Sequence, residues 1–139
     1  MQKLLKHLCV LMFCVLPACA GLFVPCAHAE EELAPGYNAC IDKAQSTADN
    51  VECLTGAYNY WDKVLNANFK KAQGACEDTA NAKECRARLL KAQRLWIQYK
   101  EAMGDALYGM GGGTMDSLTV GHFLAEETKK QAQLLATGQ

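Results

Sequence analysis

The feature that most constrains this chain is a stretch without Gly or Pro, from Lys91 to Glu101. It is rich in strong helix formers, so it predicts the middle of a long helix. Apolar residues recur there every three or four positions, which places them on one helix face. These residues are Leu89, Ala92, Trp96, Tyr99 and Met103. Because a tryptophan in such a seam must be covered by neighbouring helices, the chain is expected to be a helical protein built around this segment.

A second apolar stripe lies upstream, in a helix expected from about Ala48 to Gln73. Ser46 or Thr47 is suited to cap its start, and Gly74 is expected to end it. Its members alternate in steps of three and four, a spacing that suits antiparallel helix packing. They are Val51, Leu54, Tyr58, Trp61, Leu65, Asn68 and Ala72. The two stripes therefore predict two long helices that pack together.

Two further helices complete the expected architecture. A short helix is predicted over residues 37–45, and a last helix begins at Thr114 or Asp116. Gly121 and the polar residues 126–133 interrupt the last helix, so its end is expected to fray. No period-two run bounded by turns occurs, so no sheet is expected. The prediction is an all-α fold, a small antiparallel helical bundle of three long helices plus a short N-terminal helix, stapled by disulfides.

Residues 1–29 have the organisation of a secretory signal peptide. Lys3 and Lys6 precede an apolar run, and Ala27-His28-Ala29 matches a small-x-small cleavage site. The run is short and broken by a proline, which argues against a retained membrane anchor. A loose lipobox that ends at Cys19 makes an outer-membrane lipoprotein the less favoured alternative. The chain is therefore expected to be periplasmic or secreted in a bacterium.

The mature chain is expected to be one domain of 110 residues, with residues 30–36 as a flexible leader and residues 37–139 as the folded part. The formal net charge of the whole chain is −1, and the signal peptide removes two lysines, which leaves −3. Such a mildly acidic chain argues against nucleic acid as a partner, because neutralising phosphates requires a basic face. It is compatible with a basic protein partner.

Four of the eight cysteines remain in the mature chain, and an even number in a small exported domain predicts two disulfides. Three pairings are possible. We favour Cys40–Cys53 and Cys76–Cys85, because each pair brackets an expected turn between helices. A zinc site is the rival, but no Cys-x-x-Cys pair and only one mature histidine, His122, are present.

Four stretches of the chain resemble the signatures of a known family. Leu65-Asn66 with Phe69 is similar to a Leu-Asn-x-x-Tyr motif, and Gly112-Gly113-Thr114 is similar to a Gly-Gly-Ser/Thr loop. The stretch from Ala92 to Glu101 resembles the family's Ala-Gln-Arg-x-Trp-x-x-Tyr-Arg-Asp core. Tyr37 to Cys40, with Cys53, resembles its cysteine-bearing start. The family is that of the LprI-type lysozyme-inhibitor domains of exported bacterial proteins. The resemblance spans about residues 37–134, nearly the whole mature chain.

The resemblance implies a helical domain that binds a protein partner of the lysozyme type. It also implies a set of motif residues that hold the domain together or contact that partner. These are Asn66, Gln93, Arg94, Trp96, Lys100, Glu101, Gly112, Gly113 and Thr114. Lys100 departs from the family arginine and loses its bidentate carboxylate geometry. Gly104 and, approximately, Phe123 stand where the family usually has a further pair of cysteines.

Asn66, Gln93 and Arg94 permit two interpretations. They could form a recognition patch, but an internal polar network between the second and third helices is favoured, because buried polar groups must be satisfied. Asp62 or Glu101 would then be the charge partner of Arg94. The rings of Tyr58, Trp61, Trp96 and Tyr99 are expected in the core rather than on a ligand.

The glycine run 109–113 lacks the Lys-Ser/Thr of a phosphate loop and follows a helix. It is expected to be a turn that requires positive φ, and also a possible partner-contact loop. His122 with the three nearby methionines would be a soft-metal site, an alternative disfavoured because methionines usually fill gaps in cores. Those methionines are Met103, Met110 and Met115.

No catalytic arrangement of residues is recognisable, whether a nucleophile elbow, a Ser-His-Asp spacing or a Cys–His pair with a free thiol. We therefore expect a non-enzymatic binding protein without a cofactor, and a lysozyme inhibitor if the resemblance extends to function. The alternative is an envelope accessory or structural domain with a different protein partner.

Overall fold

The computed structural model describes residues 31–111 and 113–137. Its helices are α1 (Tyr37–Ile41), α2 (Thr47–Ala75), α3 (Ala82–Gly111) and α4 (Thr114–Thr137), and a short 3-10 turn (Cys76–Asp78) lies between α2 and α3. No strand occurs among these residues, which confirms the all-α prediction of three long helices and a short one. None of the described helices combines the length and apolarity needed to cross a lipid bilayer. The predicted signal peptide and Cys19 lie outside the described residues.

The long helices extend further than the sequence predicts. α2 continues through Gly74 and passes directly into the 3-10 turn, so the predicted stop at Gly74 is wrong. α3 likewise continues to Gly111, into the glycine run 109–113 that is predicted to be a turn. A helical glycine costs only about 1 kcal/mol relative to alanine, which neighbouring helical residues and packing offset. α1 is the opposite case, since it ends at Ile41 rather than Gln45.

The start of α2 is fixed by a reciprocal cap. The Asp49 main-chain N–H donates to Ser46 Oγ at 3.2 Å, and the Ser46 N–H donates to Asp49 Oδ2 at 3.0 Å. Asp49 Oδ2 also accepts from the Gln45 N–H at 2.8 Å. Together these bonds satisfy main-chain donors that the first helical turn leaves without partners. The predicted capping role of Ser46 is confirmed.

α2 and α4 run parallel and in closest contact, while α3 runs in the opposite direction and packs mainly on α4. Near the start of α4, Gly121 meets Leu54 of α2. Near its end, Asn68 Nδ2 donates to the Ala132 main-chain oxygen at 2.8 Å. The chain therefore runs up, down and up through three long helices.

Small side chains on α4 permit this close packing. Ala125, Thr128 and Ala132 recur at helical spacing and are completely buried against the other elements. The predicted fraying of residues 126–133 is therefore wrong. Residues three or four apart share one face of a helix, so most of the polar positions of residues 126–133 can face outward while Thr128 and Ala132 face the core.

The segment predicted as a flexible leader is packed into the bundle over the part that the structure describes, residues 31–36. Leu33 and Ala34 are buried in one core cluster with Leu54 and Ala125. The Trp61 indole Nε1 donates to the Leu33 main-chain oxygen at 2.6 Å. The prediction failed because the acidic composition of the segment concealed two apolar residues that α2 and α4 can cover.

The leader is held by charged groups as well. Lys129 Nζ donates to the Glu32 main-chain oxygen at 3.2 Å and pairs with the Glu31 carboxylate at 3.4 Å. The Glu32 carboxylate in turn accepts from the Asn38 N–H at 2.8 Å, at the start of α1. Gly36 joins the leader to α1 with a φ of 84°, a conformation that residues with a side chain rarely adopt.

Both predicted disulfides are present. Cys40–Cys53 ties α1 to the second turn of α2, and Cys76–Cys85 closes the connection between α2 and α3. The Glu77 carboxylate and Arg86 guanidinium form an ion pair across the same connection. The first part of α2 is thus linked covalently to α1, and the turn that follows α2 is linked covalently to α3.

Candidate functional site

Of the charged motif residues on α3, only Lys100 points inward. Its side chain is 7% exposed, and its Nζ lies 4.8 Å from the centroid of the Trp96 ring and 4.9 Å from that of Tyr58. Nζ also donates to the Tyr58 hydroxyl at 3.2 Å. Among the described residues no carboxylate forms an ion pair with it. The faces of the two rings therefore take the place of a counter-ion.

Lys100 thus joins α3 to α2 where their backbones are far apart. Trp96 and Tyr58 fill the space between the two helices, and the ammonium group bridges the rings. The long side chain of Lys100 spans this seam and ends at the two rings. The motif position that departs from the family is therefore buried inside the bundle in this chain.

The predicted network of Asn66, Gln93 and Arg94 does not form. Asn66 is exposed and donates to the main-chain and carboxylate oxygens of Asp62, within α2. Gln93 Oε1 instead accepts from Gln131 Nε2 of α4 at 3.0 Å. Arg94 is exposed and, among the described residues, has no ion-pair partner. The prediction failed because α3 packs against α4, so Gln93 meets that helix rather than α2.

The inward face of α3 is also rotated from the predicted one. Leu89 and Trp96 contribute to a core cluster with Leu65 and Ala132, as expected. Tyr99 and Met103, predicted as core residues, are exposed on the flank of the helix. The buried line continues instead through Lys100 and the small residue Gly104. The spacing of apolar residues alone does not predict that a lysine lies on the buried side of the helix.

The connection between α3 and α4 is closed by Asp116. The Gly113 N–H donates to Asp116 Oδ2 at 3.2 Å, and the Asp116 N–H donates to the Gly113 oxygen at 3.0 Å. Thr114 is the exposed first residue of α4, and Gly112 lies outside the described residues. Gly113 does not have the positive φ predicted for the glycine run, since Gly36 is the one glycine with positive φ in the described chain.

Large apolar side chains are exposed around this connection. Tyr108 is 61% exposed and Met110 is 80% exposed at the end of α3, and Met115 is 68% exposed at the start of α4. We call this surface the α3–α4 tip and define it by these three residues. Sequence reasoning singled out the glycine run but not its apolar flanks, because methionines at helix ends suggested core filling.

The charges of the bundle are divided between its two ends. The end that carries the α3–α4 tip is acidic, with Asp49 and Glu52 on α2 and Glu101 and Asp105 on α3. The opposite end is basic. Its cations without an ion pair among the described residues are Lys70, Lys71, Lys83 and Lys91, and Arg94, likewise without an ion pair, lies near the middle of α3.

A cleft of about 500 Å³ lies beside the leader at the acidic end. Leader residues, α1 and the outer face of α2 line it, and the Cys40–Cys53 disulfide forms part of its wall. Glu52 and Tyr37 also line this cleft, and partial burial raises the pKa of the Tyr37 phenol. The cleft is open to solvent and holds no concentration of ionisable groups typical of a catalytic centre.

No group of three His, Cys, Asp or Glu residues within the described ranges is placed to hold a metal ion. His122 is exposed on α4, at the same end of the bundle as Met103, Met110 and Met115. What the described surface offers is therefore apolar contact area with acidic surroundings, rather than a reactive constellation of side chains.

The fold and this surface define a small disulfide-bonded helical domain with exposed apolar contact area. The model of the family described as "Lysozyme inhibitor LprI" matches residues 40–135, and the chain belongs to that family. The match begins at Cys40 and includes α2, α3 and most of α4. No curated protein and no solved structure is similar enough to this chain to count as a match.

Proposed function

We propose that this protein is an exported lysozyme inhibitor that acts by binding the enzyme. The observation that carries the proposal is the family match over residues 40–135, which covers the three long helices almost completely. The family is one of inhibitor domains rather than of enzymes. The motif residues and the α3–α4 tip fall within the matched range, so the proposal concerns the part of the chain that the family defines.

The two disulfides and the family are consistent with a protein outside the cytoplasm. Disulfides persist in oxidising compartments and are rare in the cytosol. A lysozyme also acts outside the cytoplasm, on the cell wall, so inhibitor and enzyme would meet there. The signal-peptide pattern of residues 1–29 supports the same location.

Inhibition by association requires no chemistry from this chain. A lysozyme cleaves a glycosidic bond with two carboxyl groups that flank the bound sugar, so a protein seated over that cleft excludes the polysaccharide. Surface area and shape then determine the affinity, together with a few well-buried side chains. The exposed aromatic and methionine side chains are of the types enriched in protein interfaces.

The proposal is tested by measuring lysis of bacterial cells by a c-type lysozyme, with and without the oxidised mature domain. We expect a saturable fall in the lytic rate and direct binding by calorimetry. Serum albumin at equal concentration controls for non-specific protein effects. If neither inhibition nor binding occurred up to about 50 µM, the association would be weaker than about −6 kcal/mol, and the proposal would be rejected for that class of lysozyme.

A further inference from the structure

We propose that the α3–α4 tip is the surface through which this protein binds lysozyme, with a basic lysozyme as the partner. This inference rests on the function proposed above and adds the position of the interface. It follows from the coincidence of two independent features at one end of the bundle, an exposed apolar group and an acidic surrounding surface.

The apolar group is the first feature. Single exposed apolar residues are common on any protein and need no explanation. Tyr108, Met110 and Met115 are instead gathered at one helix connection, and the methionines are among the most exposed large apolar residues described. Burying them in a partner would remove that surface from water. Methionine also adapts its shape to a partner because its side chain is unbranched and flexible.

The acidic surroundings are the second feature. Gly104 on α3 lies level with Val120 and Leu124, and Gly121 lies against Leu54, so the end of α3 is level with the start of α2. Asp105 therefore lies at about the height of the first two turns of α2, which carry Asp49 and Glu52. These exposed carboxylates of α2 and α3 thus lie at the same end of the bundle as the apolar tip.

Charge separates the tip from two other exposed apolar residues of α3, Leu90 and Leu95. Leu90 lies towards the basic end beside Lys91, and Leu95 lies near the middle of α3 beside Arg94. Each therefore has a neighbouring cation that would repel a basic partner. Complementary charge accelerates association and suppresses the wrong orientation of docking. A basic lysozyme is therefore steered to the acidic end, where Tyr108 and the two methionines are available for burial.

The open cleft beside the leader is the strongest competing surface at the same end. It carries Glu52 as its one carboxylate and is lined largely by small side chains, so it offers little apolar area to a globular partner. The tip offers larger side chains. The cleft is accordingly expected to remain outside the principal contact.

The experiment compares two groups of variants of the oxidised mature domain in the lysis assay and in calorimetry. The tip variant is Met110→Ser with Met115→Ser, and the control is Leu95→Ser with Leu134→Ser, which removes two other exposed apolar side chains. Circular dichroism melting curves check that both fold. We expect the tip variant to raise the inhibition constant at least about tenfold and the control to change it less than about twofold.

Charge reversal is the second arm. Glu101→Lys with Asp105→Lys is expected to lower the association rate at low ionic strength and to weaken its dependence on salt. Lys83→Glu with Lys91→Glu, at the basic end, is the matched control and should leave both unchanged or raise the rate. This arm keeps the proposal testable if the tip variant does not fold.

The outcomes separate the two proposals. If the wild-type domain inhibits lysozyme and the tip and charge variants inhibit equally well, the interface proposal is wrong and the proposed function stands. If the wild-type domain neither binds nor inhibits, both proposals are rejected. A dimer that sedimentation detects in the wild type and not in the tip variant would assign the tip to self-association and overturn its role in binding lysozyme.

Discussion

Gly121 of α4 lies directly against Leu54 of α2. A Cβ atom at position 121 would meet the Leu54 Cδ1 at 3.2 Å and its Cβ at 3.3 Å. The Leu54 Cβ is attached to the backbone, so no rotamer change removes the contact. Gly121, which is predicted to interrupt the last helix, is thus what allows α2 and α4 to approach each other.

Gly121→Ala is therefore expected to destabilise the domain. Alanine gains about 1 kcal/mol of helix propensity, but overpacking a close helix contact costs about 1–3 kcal/mol. Gly56→Ala is the matched control, because a Cβ there meets nothing within 4 Å and only the propensity gain remains. Urea denaturation should show opposite signs for the two variants. Stabilisation by both would show that the helices can separate freely.

The ring-bound Lys100 predicts an unequal response to three substitutions. Lys100→Met loses the cation–π attraction but also the cost of burying a charge, so it should change stability by less than about 1 kcal/mol. Lys100→Arg should also be tolerated. Lys100→Glu places a carboxylate between two negative ring faces and should cost about 3–5 kcal/mol. Denaturant titration of the three variants checks this order. If Lys100→Glu did not lower the free energy of unfolding, the side chain at this position would reach solvent.

The hydrogen bond from Trp61 to the Leu33 oxygen predicts that the leader contributes to stability. Trp61→Phe keeps most of the ring but leaves the carbonyl oxygen without this donor, at a cost of about 1–3 kcal/mol. Limited proteolysis should then cut near residues 31–36 faster than in the wild type. Tyr60→Phe is the control, because Tyr60 is the neighbouring residue and its ring is exposed. The protease should cut this variant at the wild-type rate.

Reduction of the two disulfides should lower the melting temperature, because each bond restricts the unfolded chain. The closed segments are short, with sequence separations of 13 and 9, so the loop-entropy model assigns about 2–3 kcal/mol to each bond. Paired Cys→Ser variants measured by calorimetry separate the two contributions. A melting curve that did not change on full reduction would show that neither bond contributes folding energy.

The cap at the start of α2 predicts a pH dependence. The Gln45 main-chain donor, followed by the Ser46 hydrogen bonds, lowers the pKa of the Asp49 carboxyl. Because the folded pKa is below the unfolded one, this stabilisation is present above the unfolded pKa and is lost as pH falls through the folded pKa. Asp49→Asn should therefore melt at a lower temperature than the wild type at neutral pH. The difference should disappear in strong acid, and a difference independent of pH would exclude the charged cap.

The sequence alone determined the elements and their covalent links. Helical spacing, capping residues and the absence of period-two runs predicted three long helices and a short one. The even number of cysteines, and the turns they bracket, predicted Cys40–Cys53 and Cys76–Cys85. These are local properties, since each depends on residues close together in the chain.

The tertiary structure decided how the helices face one another. It placed Lys100 between two rings, left Arg94 and Tyr99 exposed, and packed the leader against α2 and α4. These outcomes depend on which helices approach closely. Small residues of α4, such as Gly121 and Ala125, allow the close approach to α2. The periodicity of one helix shows that a face is buried, but only the shape of its neighbours decides which polar residues join that face and which apolar residues remain in water.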